Sequence, residues 1–175
     1  MELLEQMCRR RSVRSYCGEE ISEEKLKMIL QAGLLAPTSR GRQSREFIVV
    51  RDKRMLEKLS ICREHGSSFL KKADKAIVVV GDSSMTDVWV EDCSIAMAMM
   101  YLMADSLGIG ACWIQGRNRF TSNHKTTDSY VKELLHIPEH FSLEAIMSLG
   151  MPENHPDFYE LEKLPYHKIH NEIFK

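Results

Sequence analysis

Apolar positions along this chain follow two rhythms that alternate from one end to the other. Leu26, Ile29, Leu30 and Leu34 recur at the spacing of one helix face. Ser22 just ahead of them is a good N-cap. Glu23 and Glu24 suit the positive end of the helix dipole, and Ile21 and Leu26 stand at the two positions of a hydrophobic staple. Pro37 closes this helix. Leu3, Leu4 and Met7 mark a short amphipathic helix over residues 2–8, Leu56 and Leu59 another over 53–63, and a further helix covers 127–135, stopped near Pro138. Between them fall short continuous apolar runs of the kind that form buried strands: 47–50, 76–80, 109–114 and 143–149. Gly150 and Pro152 then open a C-terminal tail. There is no internal repeat, low-complexity tract or linker. The pattern predicts one domain of the α/β or α+β kind, a sheet flanked by helices.

One predicted helix breaks the amphipathic rule. From about Asp87 to Leu107, Trp89, Val90, Cys93, Ile95, Ala96, Met97, Ala98, Met99, Met100, Leu102 and Met103 run round every side, and Gly108 is a natural C-cap. A helix apolar all round must be buried all round. A second copy of the chain is the economical cover for what a domain of this size leaves bare, and methionine clusters suit such adaptable surfaces; a helix buried wholly within its own chain is the alternative.

Composition narrows the field. A length of 175 residues fits one domain with a sizeable core, and a net charge of −1 argues against a dedicated nucleic-acid binder, which would carry a broad basic face. The acidic N-terminus has no apolar stretch of a secretory signal, and the longest apolar run, around Cys93 to Ala104, is too short for a bilayer. Five widely spaced cysteines without a C-x-x-C pair read as reduced cytoplasmic thiols, not a disulfide framework or a zinc site. His167 and His170 share a face of an expected C-terminal helix, yet lack further ligands at metal spacing, so no metal is expected.

Against this neutral background, Arg9-Arg10-Arg11-Ser12-Val13-Arg14 is a local concentration of guanidinium. Arginine grips phosphate through paired, charge-assisted hydrogen bonds, and a serine hydroxyl adds another donor. The run suits one compact phosphate of a nucleotide or flavin, or else a solvated helix end. A second segment, Ala36-Pro37-Thr38-Ser39-Arg40-Gly41-Arg42-Gln43-Ser44, offers hydroxyls, backbone groups and an amide suited to the edge of a heteroaromatic ring. A third, residues 107–116, joins small residues to a strand that ends in glycine, which permits close approach of a flat ligand. Gly108 and Gly110 do not make a dinucleotide fingerprint, because they follow a helix and the third glycine is missing.

These segments, in this order, resemble the nitroreductase family of FMN-dependent oxidoreductases over nearly the whole chain. The resemblance rests on R-R-S-V-R at 10–14, A-P-T-S-R-G-R-Q at 36–43, E-D-C-S-I-A at 91–96 and S-L-G-I-G-A-C-W-I at 106–114. L-G-M-P at 149–152 and E-K-L-P-Y-H-K-I-H at 162–170 complete it. It implies an α+β fold of three layers, with a central, mostly antiparallel sheet between helices. It also implies an intertwined homodimer with FMN at the interface and NADH or NADPH as electron donor.

Carried over by residue, the resemblance makes Arg10 and Ser12 phosphate and ribityl contacts and Arg14 the cation beside the flavin edge that gains negative charge on reduction. Arg11 joins them by its place in the run, although it and Arg9 also suit a solvated helix end. Pro37, Thr38, Ser39 and Gln43 become the second subunit's contribution to the ring. Ile114, Gln115 and Gly116 become the turn whose backbone meets the flavin near N5, and Lys163 a basic residue at the phosphate. Three positions depart from the family: Gly41 replaces a common Asn, and Ser44-Arg45 a common Pro-Trp. The implied activity is reduction of a small electron-poor acceptor, a nitroaromatic or quinone, by a ping-pong hydride mechanism. Reductive dehalogenation, enone reduction, flavin breakdown or non-catalytic flavin binding on the same scaffold stay open.

Overall fold

Four strands, β1 (Arg45–Val50), β2 (Lys75–Asp82), β3 (Gly110–Gln115) and β4 (Phe141–Gly150), pair antiparallel into one sheet in the order β1-β2-β4-β3. The computed structural model describes residues 2–174. β2 lies inside the sheet, and Ala76 to Val80 are buried on both faces, which is why the segment reads as an unbroken apolar run. Period-two alternation divides the strands between two cores. Ile77, Val79, Met147 and Leu149 meet α2 (Glu23–Leu34) and α4 (Trp89–Ser106) on one face. Val78, Val80, Leu143 and Ile146 meet α3 (Lys53–Leu59) and α5 (Thr127–Leu135) on the other. The result is the expected three-layer α+β architecture, with α1 (Leu3–Arg9) beside α4.

Local signals set the helix ends. Ser22 accepts the Lys25 N–H, Asp52 that of Met55 and Thr126 that of Ser129, each an N-cap bond. Gly108 takes the left-handed conformation (φ 74°) that lets the chain leave α4 and enter β3. Two expected helices differ. The one over 53–63 stops at Leu59, where Ser60 Oγ donates to the Glu57 carbonyl at 2.7 Å and the chain turns away. Among the described residues the tail holds only the 3-10 turns Leu161–Lys163 and Tyr166–Lys168, so His167 and His170 share no helix face. β1 begins two residues ahead of its apolar run because Arg45 is itself buried. Its guanidinium donates to the carbonyls of Gly33, Leu34 and Ala36 and so caps the end of α2.

α4 is covered on one side only. Cys93, Ala96, Met97, Met100 and Ala104 are buried, and α2 approaches so closely that a Cβ on Gly33 would lie 2.8 Å from the Met100 sulfur. Met100 therefore belongs to the chain's own core. Ile95 and Ala98 are exposed, and Met99 and Leu102 half-buried, along the other side. Leu34 and Leu35 at the end of α2 are also exposed.

Burial governs the thiols. It pushes Cys62 up to about 11 and Cys93 up to about 12. In the native protein a thiol reagent at mildly alkaline pH is expected to modify exposed Cys17 fast and to leave Cys62 and Cys93 untouched until denaturant is added. Rapid modification of either buried thiol in native protein would contradict this packing.

Candidate active site

The arginine segment is fixed by the edge of the sheet. After α1 the chain runs extended beside β3, with Ser12 bridged in parallel to Ala111 and the Val13 N–H donating to the Ala111 carbonyl at 2.9 Å. Val13 is buried against Gly110, where a Cβ would lie 2.7 Å from the valine. The Tyr16 hydroxyl donates to the Val13 carbonyl at 2.9 Å and lies 2.7 Å from Ser148 Oγ. Extended backbone turns alternate side chains to opposite sides. Arg10 stacks over the Tyr101 ring at 4.6 Å, and Ser12 Oγ lies 2.8 Å from the Tyr101 hydroxyl. Arg14 lies beside Cys112, whose thiol burial pushes up and the Arg14 charge pulls down. Among the described residues, no carboxylate lies within ion-pair distance of Arg10, Arg11 or Arg14.

Arg9 and Arg11 point the other way, along a cavity of about 270 Å³ also lined by Asp105, Ile109 and Phe158. Arg9 is not a solvated residue. Its Nε donates to Asp105 Oδ2 at 3.1 Å and its Nη2 to the Asp105 carbonyl at 2.7 Å, which ties α1 to the end of α4. Arg11 stacks on Tyr159 of the tail at 4.4 Å.

The loop between α2 and β1 gathers Pro37, Thr38, Ser39 and Gln43. A 3-10 turn spans Ser39–Gly41, and Arg40 (φ 52°) and Gln43 (φ 51°) are both left-handed. Two non-glycine residues in that region within one short loop are uncommon and persist where surrounding contacts enforce them. Asp92, buried on α4, supplies such contacts: Oδ1 accepts the Ser39 N–H at 2.9 Å, and Oδ2 accepts from Ser44 Oγ at 3.4 Å. Thus Ser44 helps anchor the loop. A hydrogen bond to a charged group is worth roughly 1.5–3 kcal/mol, so Asp92→Ala should cost about that much stability. It should also accelerate amide exchange at Ser39, while Asp92→Asn restores most of both. An unchanged exchange rate in the alanine variant would contradict the tether.

The third segment lies at the far end of β3. Ala111 turns its carbonyl outward to Val13, and period-two alternation turns the backbone groups of Trp113 and Gln115 to the same open edge. The Ile114 side chain is wholly buried on the α3–α5 side, and the same alternation turns its backbone groups toward β4, so Ile114 itself offers a ligand little. The Gly116 N–H donates to the Glu144 carbonyl at 3.0 Å, and a Cβ there would lie 2.5 Å from Leu143.

The structure brings Arg10, Ser12 and Arg14 together at the head of β3, and Gln115 and Gly116 about 14 Å along the same strand. It does not bring the 37–43 loop to them within one chain. That loop precedes β1, at the opposite edge of the sheet from β3, about 14 Å away across three strand spacings. Lys163, four residues beyond the Tyr159 that Arg11 stacks on, is exposed and paired with Glu160 at 2.6 Å. Sequence reasoning missed Tyr101, Asp92 and Glu144. Each had a signal: Asp92 and Tyr101 interrupt the apolar helix, and Glu144 is the one charge in an apolar strand run.

A single antiparallel sheet between two helical layers, edged by an unpaired arginine segment and a glycine-ended strand, defines the class. The sequence pattern of the Nitroreductase family matches residues 8–61 and 56–151, and the chain belongs to that family. It is 44 % identical to a structure described as an FMN-dependent nitroreductase from Clostridium difficile R20291. The two superpose with a TM-score of 0.96 over 98 % of this chain and 99 % of the other. It is 38 % identical over 176 residues to an Archaeoglobus fulgidus protein with the provisional name NADH dehydrogenase/NAD(P)H nitroreductase, covering 98 % of each. A Methanothermobacter thermautotrophicus protein of the same provisional name is 36 % identical over 166 residues, covering 92 % of this chain and 83 % of its own.

Proposed function

We propose that this protein is an FMN-dependent oxidoreductase that takes electrons from NADH or NADPH. It passes them to a small electron-poor acceptor of the nitroaromatic or quinone type, and it works as a homodimer. The observation that carries the reading is the set of guanidinium groups without carboxylate partners at the head of a strand whose outer edge is open. The residues fit FMN: Arg10 and Ser12 suit its single phosphate, and the run of β3 from Ala111 to Gln115 suits its elongated body, whereas Arg11, expected at the phosphate from the sequence, faces the other way onto Tyr159. Glycine at 110 and 116 is required by the chain's own packing, since a Cβ there would collide with Val13 or Leu143. Bound FMN would supply the redox chemistry, accepting a hydride from reduced nicotinamide and returning two electrons to the acceptor.

The chain's own residues bind, orient and tune. Arg14 offers positive charge beside the ring, and the open backbone edge at Gln115 offers hydrogen bonds. The 37–43 loop reaches a flavin only from a second copy, given its distance across the sheet. The bare strip of Ile95, Ala98, Met99 and Leu102 on α4 supports pairing through that helix. No helix among the described residues is long and apolar enough to cross a membrane. Titration of flavin-free protein with FMN and with FAD tests the reading: FMN fluorescence should be quenched at one site per chain, and FAD should bind more weakly. Absence of FMN binding would overturn it.

A further inference from the structure

β2 and β4 run in register from Lys75↔Leu149 to Val79↔Ala145, then from Val80↔Leu143 to Asp82↔Phe141. Glu144 is the residue left over, the extra member of a β-bulge. Bulges re-aim side chains, and they concentrate beside functional sites. Here the bulge turns a carboxylic acid into the protein beneath the Gln115–Gly116 turn, where Glu144 is 4 % exposed.

Its contacts converge on that turn. The Glu144 carbonyl accepts the N–H groups of Gly116 and Arg117, both at 3.0 Å, and Gln115 Nε2 at 3.4 Å. Oε1 also lies 3.4 Å from Gln115 Nε2, and Gln115 Oε1 in turn accepts from Trp113 Nε1 at 2.8 Å. Trp113, Gln115 and Glu144 thus form a hydrogen-bonded chain beside the open edge of β3. It ends at Glu144 Oε2, which is buried and has no partner within 3.5 Å among the described residues, the Ser94 side chain being a donor that acts on the carboxyl from further off.

A carboxylate is costly in such a place, since half of its charge would face no donor. Burial pushes the Glu144 carboxyl up. Gln115, Arg117 and Ser94 pull it down, and the Glu91 charge pushes it up again. The groups around it are Glu91, Asp92 and Cys93 of α4, and Arg117 beyond β3. Arg45 at the head of β1 lies across Cys93, whose thiol is itself pushed up to about 12. Arg117 is a cation that acts on the carboxyl directly.

We infer that Glu144 is a positioning residue for the flavin: carrying a proton, it holds the Gln115–Gly116 turn at the β3 edge, and it gains that proton, where it lacks one, when the flavin is reduced. This rests on the flavin reading above. Hydride transfer from the nicotinamide brings two electrons and one proton to the flavin. Where Glu144 is ionised beforehand, a further proton from solvent bonds to its carboxylate, because negative charge on the reduced flavin and on Glu144 oppose each other. Nothing else is oxidised or reduced.

The test compares wild type and Glu144→Gln, which keeps the shape and the hydrogen bond to Gln115 but cannot ionise. FMN titration, the midpoint potential of bound FMN against pH, and the infrared spectrum of the flavin-free protein are recorded for both. The two should bind FMN within about threefold of each other. The wild-type potential should show a pH range in which one more proton accompanies each two electrons, and the variant should lack it. The flavin-free wild type should show a protonated-carboxyl band that persists above the usual carboxylate range and that the variant lacks. Parallel potential curves, or identical infrared spectra, would overturn the inference while FMN binding left the flavin reading intact. Failure of wild type to bind FMN would overturn both.

Discussion

Met100→Asp is expected to abolish folding, whereas Ile95→Asp on the same helix should give a folded monomer. Met100 is wholly buried between α2 and the sheet, so aspartate there loses about 1.5–3 kcal/mol of apolar burial. It also buries an unpaired charge at a cost of several kcal/mol. Together these rival the roughly 5–15 kcal/mol that hold a domain. Ile95 is 41 % exposed in the single chain, so a charge there meets water and would be buried only under the proposed second copy. Circular dichroism and sedimentation separate the two fates: no cooperative melt for Met100→Asp, and a native spectrum at monomer mass for Ile95→Asp. An Ile95→Asp variant that still sediments as a dimer would show that subunits meet elsewhere.

The arginine run should divide into two kinds of effect. Arg10→Ala removes a guanidinium proposed to hold the FMN phosphate, a charged hydrogen bond worth roughly 1.5–3 kcal/mol, so FMN affinity should fall at least about tenfold. Arg14→Ala should make the bound midpoint potential more negative and slow hydride transfer, since the reduced flavin loses a nearby positive charge. Arg9→Ala should instead leave FMN affinity unchanged and lower stability by roughly 1.5–3 kcal/mol, because buried Asp105 loses its guanidinium and keeps only His155 at 3.7 Å. FMN titration, redox titration and thermal melts on the three variants read these separately. Equal, small losses of FMN affinity at all three positions would move the phosphate site elsewhere.

The fold was legible wherever one local rule decided the element. The runs around Val78 and Ile146 had to be buried strands, and Ser22, Gly108 and Pro138 marked helix ends correctly. Boundaries slipped where a side chain acted at long range. Arg45 extends β1 because its guanidinium reaches back to the carbonyls at the end of α2, which no pattern within β1 could reveal. Arg9 looked like a solvated helix end because its partner, Asp105, is distant in sequence and meets it only once α1 packs beside α4. The site was legible as segments through the family resemblance, but not as an assembly. That Asp92 tethers the 37–43 loop, and that Glu144 sits in a bulge under Gln115, depend on pairings between distant strands and helices.

The central claim is that bound FMN accepts electrons from a reduced nicotinamide on this chain. The direct measurement is anaerobic addition of NADPH or NADH to the FMN-loaded protein while its visible absorption is followed. The flavin bands should bleach with one of the two donors and return on adding a quinone or nitroaromatic acceptor. A loaded protein whose bands stay unchanged with both donors would contradict the account.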